Sequence, residues 1–157
     1  MTKNLKPRDY TVLGYFRKNA RTTLTDMSRE TRIPVSTIFD KLKRFEERDV
    51  IQRHTSIIDF DSLGYDVRTN ILLRAKEGER ETLKTFLTKH AKVNTINRIS
   101  NGFDFLVDAV FRDMKEYDEF HEELRQLPLR NLQEFFVMED LGRERFLQYK
   151  KNIGVVR

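Results

Sequence analysis

The chain has 157 residues, enough for one ordinary domain or two small ones, and a formal net charge of +5 at pH 7. Apolar residues make up 38% of it and include 12 Phe and 5 Tyr, which excludes wholesale disorder. The absence of cysteine excludes disulfides and thiolate metal sites, and no stretch reaches the roughly 20 consecutive apolar residues that span a bilayer. Residues 1–10 are polar and lack the apolar core of a secretory signal, so we expect a cytoplasmic protein with no membrane partner.

The positive charge is concentrated in the first third of the chain. Residues 1–55 carry 13 Lys and Arg against 7 Asp and Glu, a net charge of +6. The other 102 residues carry 17 against 18, a net charge of −1. A clustered positive field is typical of proteins that bind polyphosphate, and it predicts a DNA-binding domain joined to a nearly neutral body.

The basic segment begins with the pattern of two short helices. A first helix is predicted over 7–19, because Pro7 suits the first helical turn and apolar residues recur on one face. Thr23 is a suitable N-cap for a second helix, since its hydroxyl can accept a hydrogen bond from the first turn. Pro34 then disfavours helical geometry in the residue before it and ends this helix.

A third helix is predicted over 35–48, followed by a β ribbon. Its inward stripe consists of four apolar residues at helical spacing: Val35, Ile38, Leu42 and Phe45. The run 50–58 then changes to β-like character, which predicts the wing of a winged helix-turn-helix. We therefore assign residues 1–55 to a winged helix-turn-helix DNA-binding domain.

The rest of the chain alternates between strand and helix patterns after a linker at 56–66. Strands are predicted at 69–75, 93–99, 103–111 and 132–138, and helices at 79–90 and 114–127. Asn101-Gly102 predicts a tight hairpin turn between the second and third strands. This βαββαβ order predicts a ferredoxin-like domain over 67–140, a four-stranded sheet with both helices on one face. The fold class is thus α+β, with a C-terminal tail at 141–157.

The other face of such a sheet needs a cover, usually another subunit. The sequence leaves open which apolar set faces away from the helices; the candidates are Ile71, Leu73, Leu106, Val110, Phe136 and Met138. We expect a homodimer or a higher oligomer. In the tail, Phe146, Leu147 and Tyr149 are candidates for docking on the body or on a partner.

The exposed side of the third helix is a candidate surface for double-stranded DNA. Ser36, Thr37 and Asp40 are predicted near base edges, because recognition helices present their N-terminal residues to the major groove. Five basic residues are predicted to contact phosphate: Lys41, Lys43, Arg44, Arg53 and His54. The alternative is an ordinary solvated helix face, but the charge distribution favours DNA binding.

No constellation in the sequence supports enzymatic activity, and we expect no catalytic residue, no cofactor and no metal. Metal-ligand spacing is absent among the three histidines, His54, His90 and His121. The carboxylates Glu119, Glu122 and Glu123 lie on the polar side of a predicted helix, where solvation is the ordinary role. The sequence has neither a Gly-rich phosphate loop nor a nucleophile elbow.

Four short segments follow one another in a characteristic order over residues 5–140. They are Asp9-x-x-Val12-Leu13-x-x-Phe16-x-x-Asn19-Ala20-Arg21, then Lys41-x-x-Arg44-Phe45-Glu46 with Val50-Ile51, then the linker from Asp59 to Leu63-Gly64-Tyr65, and finally Asn101-Gly102-Phe103-Asp104. Together they resemble the Lrp/AsnC family of feast/famine transcription regulators. The chain departs from the family at Arg32-Ile33-Pro34, where a Gly-(Leu/Ile)-Ser turn is usual, and at Lys41, where Arg is usual.

The resemblance implies a sequence-specific transcriptional regulator whose body binds an effector. An amino acid or a related metabolite would bind between subunits at Asn101, Gly102, Phe103 and Asp104, with Asp104 as a partner for the α-amino group. The alternative at this turn is a plain hairpin, in which Gly102 supplies a positive φ and Asp104 is a solvated edge charge.

Two other functions stay open at this point. One is an architectural DNA-binding protein without an effector, whose binding would depend steeply on salt and little on sequence. The other is a metabolite-binding regulatory subunit of an enzyme.

Overall fold

The computed structural model describes residues 5–148, which form two compact units. The first, called the head here, combines residues 5–57 with 141–148. The second, called the body, spans Ile58–Asp140. The first eight residues of the predicted tail therefore group with the head, and the remainder of the tail lies outside the described residues.

The head contains three helices: α1 (Pro7–Lys18), α2 (Leu24–Thr31) and α3 (Val35–Glu47). As predicted, the Thr23 hydroxyl caps α2 by accepting from the Asp26 backbone N–H at 3.0 Å. Pro34 precedes α3 and supplies no side-chain cap. The helices enclose a small apolar core of Val12, Met27, Ile33, Ile38 and Phe45.

The β ribbon predicted after α3 is not formed. No residue of 50–58 lies in a strand; instead, the backbone N–H groups of Val50 and Ile51 donate to the Phe45 carbonyl at 2.8 and 3.1 Å. These bonds satisfy an orphan carbonyl at the end of α3. Val50 and Ile51 also pack against the head core. Their apolar, β-branched character, which suggested a strand, therefore serves to close the helix end.

The body has the predicted ferredoxin-like order. Its elements are β1 (Val67–Ala75), α4 (Arg80–Lys89), β2 (Val93–Arg98), β3 (Phe105–Phe111), α5 (Met114–Arg125) and β4 (Leu129–Phe136), after a 3-10 turn at Asp61–Leu63. The sheet order is β2-β3-β1-β4, and every neighbouring pair is antiparallel. The α+β fold class predicted from the sequence is therefore confirmed for this unit.

The strand register settles which residues of the sheet face the helices. Ile71 and Leu73 are fully buried in the core beneath α4 and α5, together with Leu83, Leu87, Phe120 and Leu124. Phe136 lies on the same side, with its ring 5.1 Å from that of Tyr117. Of the six candidates for the open face, Leu106 and Val110 are correctly placed by the pairings Leu72–Leu106 and Arg68–Val110. Met138 lies beyond β4 and is almost fully exposed.

The first part of the tail contacts the end of α1. Glu144 forms an ion pair with Arg17, and the Gln148 side-chain amide donates to the Arg17 carbonyl at 3.4 Å. Of the predicted docking residues, Phe146 is exposed and Leu147 is half-buried. Tyr149 lies outside the described residues.

Candidate DNA interface and effector cleft

The N-terminal half of α3 presents a mixed face to solvent. Ser36 and Asp40 are exposed and Thr37 is half-buried, so two of the three predicted base-reading residues are fully accessible. Val35 and Phe39 lie on the same exposed part of the helix, with 42% and 55% of their surface accessible. Val35 therefore does not belong to the inward stripe predicted for it, and Phe39 was not among the predicted site residues.

Two of the predicted phosphate contacts are tied to a buried carboxylate in α1. The Asp9 carboxylate accepts from the Lys6 backbone N–H at 2.7 Å, from an Arg44 guanidinium nitrogen at 3.0 Å and from the Lys41 ammonium. The side chain of Lys41 is only 13% exposed, whereas that of Arg44 is 41% exposed. In this structure Lys41 thus anchors α3 to α1, and Arg44 is shared between Asp9 and solvent.

The surroundings of Asp9 keep it ionised. Burial by itself would raise the pKa of Asp9, but the hydrogen bonds from Lys41 and Lys6 and the charges of Lys41 and Arg44 outweigh it. The pKa of Asp9 therefore lies below the ordinary value of an aspartate. The cluster fixes the orientation of α3 through a carboxylate whose lowered pKa keeps it charged at neutral pH.

The remaining predicted phosphate contacts are on the surface. Lys43 is 66% exposed and lies 3.9 Å from the Glu47 carboxylate. Arg53 is exposed, and the His54 ring nitrogen Nε2 lies 2.9 Å from Glu46 Oε1. An exposed ion pair such as Lys43–Glu47 contributes about 0–1 kcal/mol, so Lys43 can exchange its carboxylate partner for phosphate at little cost.

A cleft of about 660 Å³ lies beside the Gly102 turn in the body. Its lining includes Gly102, Phe103 and Asp104 of the predicted effector residues, but not Asn101. Asn101 and Gly102 both have positive φ, 68° and 96°, as the predicted hairpin turn requires. The connection between β2 and β3 is longer than predicted, however, and spans 99–104.

Asp104 is held in place at the edge of this cleft. Its Oδ1 accepts from Arg80 Nε at 2.8 Å and its Oδ2 accepts from the Ala75 backbone N–H at 3.0 Å. With its side chain 15% exposed, Asp104 is not a solvated edge charge. Its carboxylate positions the guanidinium of Arg80 instead of lying free for an α-amino group.

The cleft contains cationic residues that the sequence patterns did not single out. Among its described lining residues, four are basic, namely Arg74, Lys76, Arg80 and Arg130, and three are acidic, namely Glu77, Glu81 and Asp104. They come from β1, the connection after β1, α4, the connection between β2 and β3, and β4, so the group becomes visible only once the sheet order is known. This arrangement suits a small ligand that carries a carboxylate.

A second polar cluster joins α5 to β4. The Tyr117 hydroxyl donates to Glu134 at 2.9 Å, and His121 Nδ1 lies 3.0 Å from the same carboxylate. Arg125 Nε donates to His121 Nε2 at 2.8 Å. Burial, together with the neighbouring Glu134, raises the pKa of Tyr117 to about 12. Each member has a partner, so we interpret the cluster as structural.

Residues 5–148 offer neither a metal site nor a membrane-spanning helix. No group of three His, Cys, Asp or Glu side chains among them is placed to hold a metal ion. None of the helices in this part of the chain is long and apolar enough to cross a membrane.

Two family models match separate parts of the chain. Residues 5–52 match a winged helix-turn-helix DNA-binding model, and residues 69–146 match the Lrp/AsnC ligand binding domain. Among curated relatives, the HTH-type transcriptional regulator FL11 of Pyrococcus abyssi is 23% identical over 82% of this chain and 85% of its own. An uncharacterised HTH-type transcriptional regulator of Pyrococcus horikoshii is 25% identical over 71% of this chain and 76% of its own.

Solved structures show the same fold. A transcriptional regulator from Neisseria meningitidis, solved in complex with L-Met, superposes with a TM-score of 0.81 at 19% identity, covering 89% of this chain and 94% of its own. E. coli AsnC superposes with a TM-score of 0.77 at 15% identity, covering 88% of this chain and 95% of its own. The matched models, the relatives and the fold agree: the chain belongs to the Lrp/AsnC family and is a transcriptional regulator with a winged helix-turn-helix and an Lrp/AsnC ligand-binding domain.

Proposed function

We propose that this regulator binds specific DNA sequences by inserting the N-terminal half of α3 into the major groove. The observation that carries the proposal is the accessible face of α3 within a segment of net charge +6. Ser36 and Asp40, both exposed, bond base edges in this proposal, Asp40 as an acceptor for a cytosine amino group. Lys43 and Arg53 bind phosphate, while Lys41 acts indirectly by holding α3 against Asp9.

The regulator acts as a homodimer or a larger assembly formed through the body. The face of the sheet opposite the helices carries the half-buried Leu72 and Leu106 and the exposed Phe135 around an Arg68–Asp108 ion pair of 2.7 Å, while Val110 on the same face is already buried. Apolar area of this kind on a sheet is ordinarily covered by another subunit. A two-fold dimer would present two copies of α3 to DNA, so the operator is an approximate palindrome with half-sites about 10.5 bp apart or a multiple of that.

The cleft beside Gly102 binds the effector, an amino acid or a related small metabolite. Arg80, oriented by Asp104, and Arg130 supply donors for its carboxylate. The complex of a structural relative with L-Met supports this class of ligand. Binding changes DNA affinity only to the degree that the effector prefers one assembly state or head spacing over another.

Selection of bound fragments from genomic DNA at physiological salt tests the DNA-binding proposal. We expect enrichment of a palindromic motif, and we expect the double variant S36A/D40N to lose that motif while keeping salt-dependent binding to random DNA. Salt-sensitive binding of the wild type without any motif would indicate an architectural protein. No binding at all would favour the regulatory-subunit hypothesis.

Thermal unfolding in the presence of each common amino acid tests the effector site. A ligand at 100 times its Kd stabilises the folded protein by about 2.7 kcal/mol. We expect at least one amino acid to raise the Tm of the body, and the shift to be lost in Arg80→Ala. The matched control is Arg98→Ala, on β2 and not among the cleft's lining residues. An equal shift in both variants would place the ligand elsewhere.

A further inference from the structure

The exposed face of α3, the proposed recognition helix, carries two apolar residues that hydrogen bonding to bases would not require. Val35 and Phe39 are one helical turn apart and are 42% and 55% exposed. The neighbouring exposed residues Ser36, Asp40 and Lys43 are all polar or charged. The head core is complete without the pair, since Ile38 and Phe45 of the same helix are the residues buried in it.

The surroundings of this pair restrict what can cover it. A protein surface that buried Phe39 would also have to desolvate Asp40 and Lys43, which flank it on α3. A major groove tolerates these neighbours, because it offers acceptors and amino donors to polar groups and phosphates to cations. The apolar group that the major groove offers is the C5-methyl of thymine.

We propose that Val35 and Phe39 read thymine methyl groups, and that these contacts determine part of the operator sequence. This inference rests on the proposed function and specifies it further. Residues four apart on a helix are separated by about 6 Å along its axis. Base pairs follow one another every 3.4 Å or so, and the two methyl groups therefore lie within about two base-pair steps in each half-site.

Replacement of thymine by deoxyuridine in the selected operator is the direct test, because it removes the methyl group and keeps every hydrogen-bonding group. We expect the wild type to bind about fourfold more weakly for each contacted methyl that is removed, the equivalent of one buried CH₂-sized group. Thymines outside the contacted steps should show no such loss. The two sensitive positions should lie close together and recur symmetrically in both half-sites.

Variants of α3 then assign each methyl group to a side chain. In Phe39→Ala, the ratio of affinities for thymine DNA and deoxyuridine DNA should fall to about one at one position. Val35→Ala should have the same effect at the other position. Phe39→Leu, which keeps an apolar side chain, should retain most of the discrimination. Lys43→Ala is the matched control on the same helix: it should weaken binding to both DNAs equally and leave the ratio unchanged.

Failure of this inference can be distinguished from failure of the proposed function. If a motif is selected but deoxyuridine has no effect at any position, or if Phe39→Ala keeps the wild-type ratio everywhere, the thymine contact is refuted and the regulator stands. If no motif is selected, the proposed function itself fails. If Phe39→Ala changes the oligomer measured by light scattering and leaves the ratio unchanged, the apolar pair is a protein contact and the inference is wrong.

Discussion

The carboxylate of Asp9 is predicted to be the main polar anchor of α3. Asp9→Asn keeps the shape of the side chain but removes its negative charge. The Lys41 ammonium, 13% exposed in the folded head, would then lack its counter-charge. Arg44 is 41% exposed and would turn to solvent, so Lys41 accounts for most of the expected loss of stability.

The loss of folding stability expected for Asp9→Asn is large for a unit as small as the head. Removing one partner of a buried ion pair destabilises a protein by about 3–5 kcal/mol. Because Lys41 has some access to water, we expect the lower end, about 3 kcal/mol, against about 5–15 kcal/mol for the whole stability of a typical domain. In Asp9→Asn combined with Lys41→Met both charges are gone, and much of the loss should be recovered.

Native-state hydrogen exchange, measured on peptides from α1 and α3, isolates this effect from the body. The control Glu47→Gln makes the same change in net charge at an exposed ion pair and should change the opening free energy by less than about 1 kcal/mol. If Asp9→Asn behaves like Glu47→Gln, or if the double variant is no more stable than Asp9→Asn, the anchor hypothesis is refuted.

Four further outcomes are expected. Because the pKa of Asp9 is lowered in the folded head, its ionised carboxylate contributes its full stabilisation at pH values above 3.8, the ordinary pKa of an aspartate. This stabilisation should be lost as pH falls through the lower pKa of the folded state. The stability of Asp9→Asn, followed by acid titration, should depend less on pH. The pKa of Tyr117, raised from 10.0 to about 12, should make the body lose stability as pH rises through that interval, measured by urea unfolding, and Tyr117→Phe should remove the loss. Gly102→Ala should destabilise the body by about 1 kcal/mol, because a φ of +96° strains the backbone of an alanine. Steric clash adds nothing, since no atom beyond the adjacent residues lies within 4 Å of the added Cβ. Calorimetry of the wild type and of Gly102→Ala measures the difference. Lys43→Ala should lower the slope of log K against log salt by about 0.9, with the operator preference unchanged, as measured by titration at several salt concentrations.

Helix and strand order could be predicted from the sequence because periodicity is a local property. Two members of the predicted stripe of α3, Ile38 and Phe45, are buried as expected, and the ends of most elements fall within a few residues of those predicted. β4 begins earlier than predicted, at Leu129, because the polar residues Asn131 and Gln133 on its open face obscure the strand pattern. The run 50–58 forms no strand because Val50 and Ile51 close the end of α3 through their backbone N–H groups, and Ile57 and Ile58 stay exposed.

The chemistry of the site depended on contacts between distant parts of the chain. Lys41 was interpreted as a phosphate contact because its partner, Asp9, is 32 residues away and opposite charges at that distance leave no local pattern. Asp104 was correctly placed at the Gly102 turn, but its partner Arg80 comes from another element. Phe39 falls outside the inward stripe of α3 in the sequence as well, but it has no hydrogen-bonding group and is therefore not among the predicted base contacts; its 55% exposure is known only from the packing of α3.

The affinity ratio between the selected operator and a scrambled duplex of the same length, measured at physiological salt, tests sequence-specific regulation most directly. We predict that the operator binds at least about 10³-fold more tightly, the lower bound typical of specific DNA-binding proteins. Equal affinity for the two duplexes, with the same steep salt dependence, would contradict sequence-specific recognition by α3.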